Sequence, residues 1–276
     1  MWRPPTQGSY DYPPAANLST SLPDTTAPTL SGVSIASNNA TNSLANPNDN
    51  ITLTFTASEA ISTPVVTFQS GGSAINDGSI VYSNTSGNTW TAVYTANAND
   101  ADGAVTYSIA FSDTAANAGT PITNGSGSVT TDTSVPTLTS VSISSNNANR
   151  SMATPTDVVT LSFTASETIQ SPIVTASSGG AAVNGNITVS NTISNNWTAS
   201  FTANANDTAG PVTYSIAFSD TAGNAGTPVT FTTDSSNVAV VIDTDLPTLL
   251  SSTPSDGSRA VKLDQNIVLK FSENIT

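Results

Sequence analysis

The chain has 276 residues, no cysteine and no histidine, and it sets 19 acids against five basic residues for a formal charge of −14 at pH 7. Those two absences remove disulfides, thiolate and imidazole metal sites, and every catalytic mechanism that runs through a cysteine or a histidine. The charge repels nucleic acid and anionic membrane, and no run of about 18 apolar residues is present, so neither nucleic-acid binding nor membrane insertion is expected.

Residues 1–23 are Pro-rich and polar and read as a linker or the end of a preceding unit. The opening lacks the apolar stretch of a signal peptide, and the chain is expected to be a piece of a longer reading frame. From Asp24 onward apolar residues alternate with small polar ones. Ile51, Leu53, Phe55 and Ala57 fall on one face while Thr52, Thr54 and Thr56 fall on the other, the period of a half-buried strand. Trp90, Ala92 and Tyr94 repeat this pattern, as do Val105, Tyr107, Ile109 and Phe111. Trp90 and Trp197 fall in phase with the buried positions, which makes them core residues rather than sugar-stacking platforms. Turn-forming clusters at Asn46-Pro47-Asn48-Asp49, Gly71-Gly72 and Asn97 to Gly103 separate the segments. Strands are expected near 29–35, 51–57, 64–69, 79–82, 89–95, 104–112 and 121–130, with no helical periodicity anywhere. Seven short strands fit an antiparallel sandwich of two sheets.

The chain then copies itself. DTTAPTLSGVSIASNNA from Asp24 returns as DTSVPTLTSVSISSNNA from Asp132, 108 residues later. LTFTASEAI (Leu53 to Ile61) returns as LSFTASETI (Leu161 to Ile169), and VTYSIAFSDTA (Val105 to Ala115) returns unchanged from Val212 to Ala222. A third start follows at Asp243, where Pro247 aligns with Pro28 and Pro136 and LKFSE stands for LTFTASE. The division expected is a linker at 1–23, one sandwich at 24–131, a second at 132–243, and the first strands of an incomplete third at 244–276.

The order D-T-x-x-P-T-L, L-x-F-T-A-S-E, V-T-Y-S-I-A-F-S-D-T-A-x-N-A-G-T-P resembles the bacterial immunoglobulin-like repeats of large surface and adhesin proteins. TPSDGSRAVKLDQNIVLKFSENI is similar to a related bacterial immunoglobulin-like domain of S-layer and other exported proteins. The resemblance implies an all-β fold of tandem immunoglobulin-like antiparallel β-sandwiches, outside the cell at a bacterial surface. It implies little about activity, because such modules serve as spacers in proteins of many functions. Asp102-Gly103 ahead of Tyr107 also resembles the tyrosine corner that opens strand F of such domains.

On a sandwich of this kind the B–C and F–G loops share a pole with the start of strand A. Asp24, Glu59 and Asp113 therefore converge at one end of the first copy, and Asp132, Glu167 and Asp220 at the same end of the second. Asp132 also leaves the first copy beside the E–F loop, which carries Asp100 and Asp102, so the junction is expected to gather five carboxylates. Residues 24–131 hold seven acids and no base. Calcium, an oxygen-seeking cation of flexible geometry, suits such a site and would stiffen the joint. The alternative is that these acids cap turns by accepting backbone hydrogen bonds. Every acid in the set recurs in both copies except Asp102, replaced by Ala209, and a recurring set suits a structural joint and ill suits a unique active site.

The expected role is a non-enzymatic extracellular structural array, the stalk or spacer of a bacterial surface adhesin, whose partners are neighbouring repeats of the same protein. The alternative is a filament subunit, a homopolymer in which strands of another molecule complete the third sandwich beside Ile267, Leu269 and Phe271. No ligand is forecast by the loops.

Overall fold

The computed structural model describes residues 1–4, 8, 22–76, 79–233, 239–259, 261–262 and 264–273, so most of the Pro-rich 1–23 segment lies outside the described residues. The first repeat is built from β1 (Leu30–Ser37), β2 (Leu44–Ala45), β3 (Asn50–Ala57), β4 (Val65–Ser70), β5 (Ser73–Ala74), β6 (Val81–Ser86), β7 (Thr89–Thr95), β8 (Gly103–Ala110) and β9 (Thr130–Thr131). One sheet runs β1-β3-β7-β6 and the other β2-β9-β8-β4-β5. These are the A-B-E-D and C-F-G sheets of an immunoglobulin-like sandwich, with a short added strand at each edge of the second sheet.

Alternation fixes the faces. Ile51, Leu53, Phe55 and Ala57 are buried, and the threonines between them are half-buried on the outer face. Across the β3–β7 ladder Phe55 opposes Trp90, Leu53 opposes Ala92 and Ile51 opposes Tyr94, so large and small side chains interlock. The second sheet contributes Val66, Phe68, Val105 and Ile109. Phe68 and Tyr94 meet between the sheets with ring centroids 4.7 Å apart. Both Trp90 and Trp197 pack against the cores with their indole nitrogens enclosed, Trp197 buried and Trp90 half-buried.

The segment expected as a seventh strand over 121–130 departs from that expectation. Ile122 bridges to Ile109 in one sheet, Ser126 then bridges in parallel to Ser34 in the other, and only Thr130–Thr131 forms a ladder. The chain changes sheets midway, and two glycines make this possible. A Cβ at Gly125 would stand 2.5 Å from the Val33 carbonyl oxygen, and Gly127 holds φ +78 with its Cβ position 2.3 Å from the Ile35 carbonyl oxygen. Nor does Tyr107 form the corner the sequence resembles: its hydroxyl lies 2.7 Å from the Cβ position of Gly125, at the crossing strand. The E–F turn is pinned by Asp100 instead.

The second repeat reproduces the first with β10 (Leu138–Ser145), β11 (Met152–Ala153), β12 (Val158–Ala165), β13 (Ile173–Ser178), β14 (Ala181–Ala182), β15 (Thr188–Ile193), β16 (Asn196–Thr202), β17 (Gly210–Ala217) and β18 (Val241–Ile242). Its sheets are β10-β12-β16-β15 and β11-β18-β17-β13-β14. The two hydrophobic cores share no residue: one runs from Ile35 to Val129 and the other from Leu138 to Ile242. Among the described residues there is no helix. After Asp243 a single hairpin follows, β19 (Leu249–Thr253) paired antiparallel with β20 (Val268–Phe271). Its apolar residues Leu249, Leu250, Ile267, Val268 and Leu269 are exposed. The chain is thus an all-β tandem of immunoglobulin-like sandwiches.

Candidate functional site: the acidic poles and the joint

At the end of β3, Ser58 locks onto the start of β1, its Oγ accepting the Thr29 N–H at 3.0 Å and its own N–H donating to the Thr29 carbonyl at 2.9 Å. That lock delivers Glu59 to the pole. Beyond β8 the chain turns tightly between Ser112 and Ala118, and Asp113 holds the turn closed. Its carboxylate accepts the Asn117 backbone N–H and the Asn117 side-chain amide, both at 2.8 Å. The same amide donates to the Asp24 carbonyl oxygen at 3.0 Å, tying the incoming chain to the F–G turn. As a result a carboxylate oxygen from each of Asp24, Glu59 and Asp113 lies within 4.8 Å of the others.

The second copy builds the same triplet from Asp132, Glu167 and Asp220, again within 4.8 Å. Asp220 is buried and accepts from the backbone of Gly223 and Asn224 at 2.7 and 2.8 Å and from the Asn224 side chain at 2.8 Å. Asn224 in turn donates to the Asp132 carbonyl oxygen at 2.9 Å. Sequence reasoning passed over these two asparagines. The signal was available in the shared D-T-A-x-N of both F–G turns.

Of the two E–F acids, only Asp102 reaches the junction. It accepts the Thr133 N–H at 2.6 Å, the Thr133 hydroxyl at 2.8 Å and the Ser134 hydroxyl at 2.7 Å, clasping the chain as it leaves the first sandwich. Asp100 faces the other way. Buried within its own turn, it accepts the backbone N–H groups of Asn97 at 2.9 Å and Asn76 at 2.7 Å, as Asp207 does for Asn204 and Asn184 in the second copy. The junction therefore gathers four carboxylates rather than five, because the E–F turn consumes one to satisfy its own donors.

Charge is left uncompensated at this joint. Burial, and then the charges of Asp132, Asp220 and Asp102, raise the Glu167 carboxyl above its ordinary range. Burial, and then Asp220 and Asp102, raise Asp132 against the hydrogen bond it accepts from Ser134. In the first copy burial and the charges of Asp24 and Asp113 raise Glu59. Asp113 moves the other way, held low by the Asn117 amide. Asp102, although burial pushes it up, is held below the usual range by its donors Ser134 and Thr133. Chemically, each pole offers an all-oxygen donor set that suits a hard divalent cation. Asp113 and Asp220 also act as turn caps, and a carboxylate filling that role keeps spare lone pairs.

No protein-family model matches the chain, and no curated protein matches it by sequence. Among solved structures it is similar to a three-domain I-band fragment of titin, at 10% identity over 79% of this chain and 65% of that one, with a TM-score of 0.42. An E-to-A variant of the same fragment gives 10% identity, 78% and 65% coverage and a TM-score of 0.42. A two-domain titin fragment in complex with telethonin gives 16% identity, 79% and 96% coverage and a TM-score of 0.24. The chain spans about 65% of the three-domain fragments.

Proposed function

We propose that this chain is a spacer segment of a bacterial surface adhesin: extracellular, non-enzymatic, and partnered chiefly by its own neighbouring repeats. One observation carries the reading. The first sandwich passes directly into the second, and the second into the β19–β20 hairpin, through linkers of equal length, residues 132–137 between β9 and β10 and 243–248 between β18 and β19. Both linkers are anchored alike, the Asp132 N–H on the Ala45 carbonyl and the Asp243 N–H on the Ala153 carbonyl, each at 2.9 Å. Equal, anchored linkers stack units end to end and hold the chain's ends apart, which is what a stalk requires. Calcium at the Asp24, Glu59, Asp113 and the Asp132, Glu167, Asp220 triplets would neutralise the repulsion and stiffen each joint. Small-angle scattering with calcium and with excess chelator tests both parts. An elongated particle whose maximum dimension and melting midpoints fall on chelation supports them; a compact particle defeats the spacer, and identical curves in both solutions defeat the cation.

A further inference from the structure

We infer that the turn between β1 and β3 is a socket that recognises the F–G turn of the following repeat, with Asn39 as its key residue; this rests on the tandem-array reading above and names the partner of each joint. The Asn39 side-chain amide donates to Asp49 Oδ2 at 2.7 Å, and its carbonyl accepts the Thr41 N–H at 3.0 Å, so the group is oriented from within the first sandwich. Asp49 is itself fixed by accepting the Asn46 N–H at 2.8 Å. The remaining amide hydrogen crosses to the second sandwich and meets the Ala222 carbonyl oxygen at 2.8 Å, in the turn that Asp220 closes. Gln170 supports that turn from the other side, its Nε2 donating to the Asp220 carbonyl at 2.9 Å.

Two independent features support recognition over accidental contact. First, the F–G turn carries Ala116 at φ +70 in copy one and Gly223 at φ +97 in copy two. The turn accepts an alanine in copy one, and in copy two the glycine stands close against the first sandwich: a Cβ at Gly223 would lie 3.1 Å from Asn46 Nδ2, which would have to give way by a few tenths of an ångström. Second, the socket is prepared again where the second sandwich ends. Asn147 donates to Asp157 Oδ2 at 2.7 Å and accepts the Asn149 N–H at 3.0 Å, the geometry of Asn39 with Asp49 and Thr41. The partner such a socket fits is a further F–G turn of the D-T-A-G-N type, presenting the carbonyl two residues after its aspartate.

Because the chain has no cysteine, spin labels can be placed uniquely through Ser83→Cys and Ser190→Cys, on exposed positions of β6 and β15. Pulsed dipolar spectroscopy on the full chain is expected to give one narrow interspin distribution. Asn39→Asp, which cannot donate and sets a second carboxylate against Asp49, is expected to broaden it at least twofold and to lower the first melting transition alone; Gly223→Ala, which crowds Asn46, is expected to broaden it while both melting transitions stay in place. Asn147→Ala, outside this joint, is expected to leave it unchanged. A narrow distribution that survives Asn39→Asp overturns the socket and leaves the stacked array standing. A short distance in the unsubstituted protein, with the sandwiches side by side, overturns the array reading and the socket together.

Discussion

Truncating Phe55 to alanine tests whether the two sandwiches are separate cooperative units. Phe55 is 0% exposed, faces Trp90 across the ladder and belongs to the core that ends at Val129. Removing a buried ring costs about 3–5 kcal/mol, the lost transfer energy plus the cavity left behind. In a sandwich of roughly 100 residues each kcal/mol moves the midpoint by about 4–8 °C, so the first transition should fall by at least about 12 °C. Phe163, 2% exposed and opposite Trp197, is its counterpart in the second core. Differential scanning calorimetry of Phe55→Ala, Phe163→Ala and the unsubstituted chain should resolve two transitions, each variant lowering only its own. If either substitution drags both transitions down together, the cores are energetically merged and stacked autonomous units are refuted.

Asp100→Ala should lower the stability of the first sandwich by about 1–3 kcal/mol, because the Asn76 and Asn97 N–H groups lose the acceptor that buried Asp100 supplies, whereas Asp102→Ala at an exposed site should change it by about 0.5 kcal/mol or less; equal losses on urea denaturation would contradict the division of labour drawn here. The pH dependence has two limbs. Asp113 and Asp157 are held low by the side-chain amides of Asn117 and Asn147, and Asp102 and Asp207, against the upward push of burial, by N–H and O–H donors; their stabilisation is present above the unfolded carboxyl value of about 4 and is lost as pH falls through their lowered values. Glu59, Asp132 and Glu167, raised chiefly by burial and then by like charge, stabilise below their unfolded values and lose that contribution as pH rises through the raised ones. Without divalent cations, melting midpoints should therefore peak in mild acid, and Glu167→Gln should flatten the decline towards neutrality; midpoints that climb steadily to pH 7 would overturn the assignment.

Much of the architecture was legible because burial writes itself into a strand with period two, and because a copied sequence gives each reading twice. Ile51, Leu53 and Phe55 in the first copy and Val159, Leu161 and Phe163 in the second carry the same message. The acidic triplets were legible for a different reason: sandwich topology alone sends the B–C loop, the F–G loop and the start of strand A to one end. What lay beyond the sequence was aperiodic. Asp100 and Asp102 sit two residues apart in one loop, yet the first turns inward and the second reaches the linker, a distinction set by turn geometry. The copies do mark it in hindsight, since Asp207 keeps the inward acid while Ala209 drops the outward one. The last strand was misjudged because alternation cannot reveal a change of partner sheet, and Gly125 and Gly127 announce that change only through their crowded surroundings.

The joint between the sandwiches combines attraction and repulsion within a few residues. Asp102 clasps Thr133 and Ser134, and Asn39 reaches Ala222, so hydrogen bonds draw the sandwiches together at two places. Between the same bodies stand Asp132, Glu167 and Asp220 with no base in the first repeat to offset them. Short hydrogen bonds act regardless of salt, whereas repulsion among partly exposed carboxylates weakens as ions screen it, over about 8 Å at physiological strength. On the proposed reading, Asn39 and Asp102 set the position of the joint and the surrounding ions its stiffness. At the next junction Ala209 stands where Asp102 would clasp the linker, which leaves the Asp243 N–H on the Ala153 carbonyl as the anchor there. On the proposed array reading a single substituted residue predicts joints of unequal stiffness, with bending expected first where the clasp is missing.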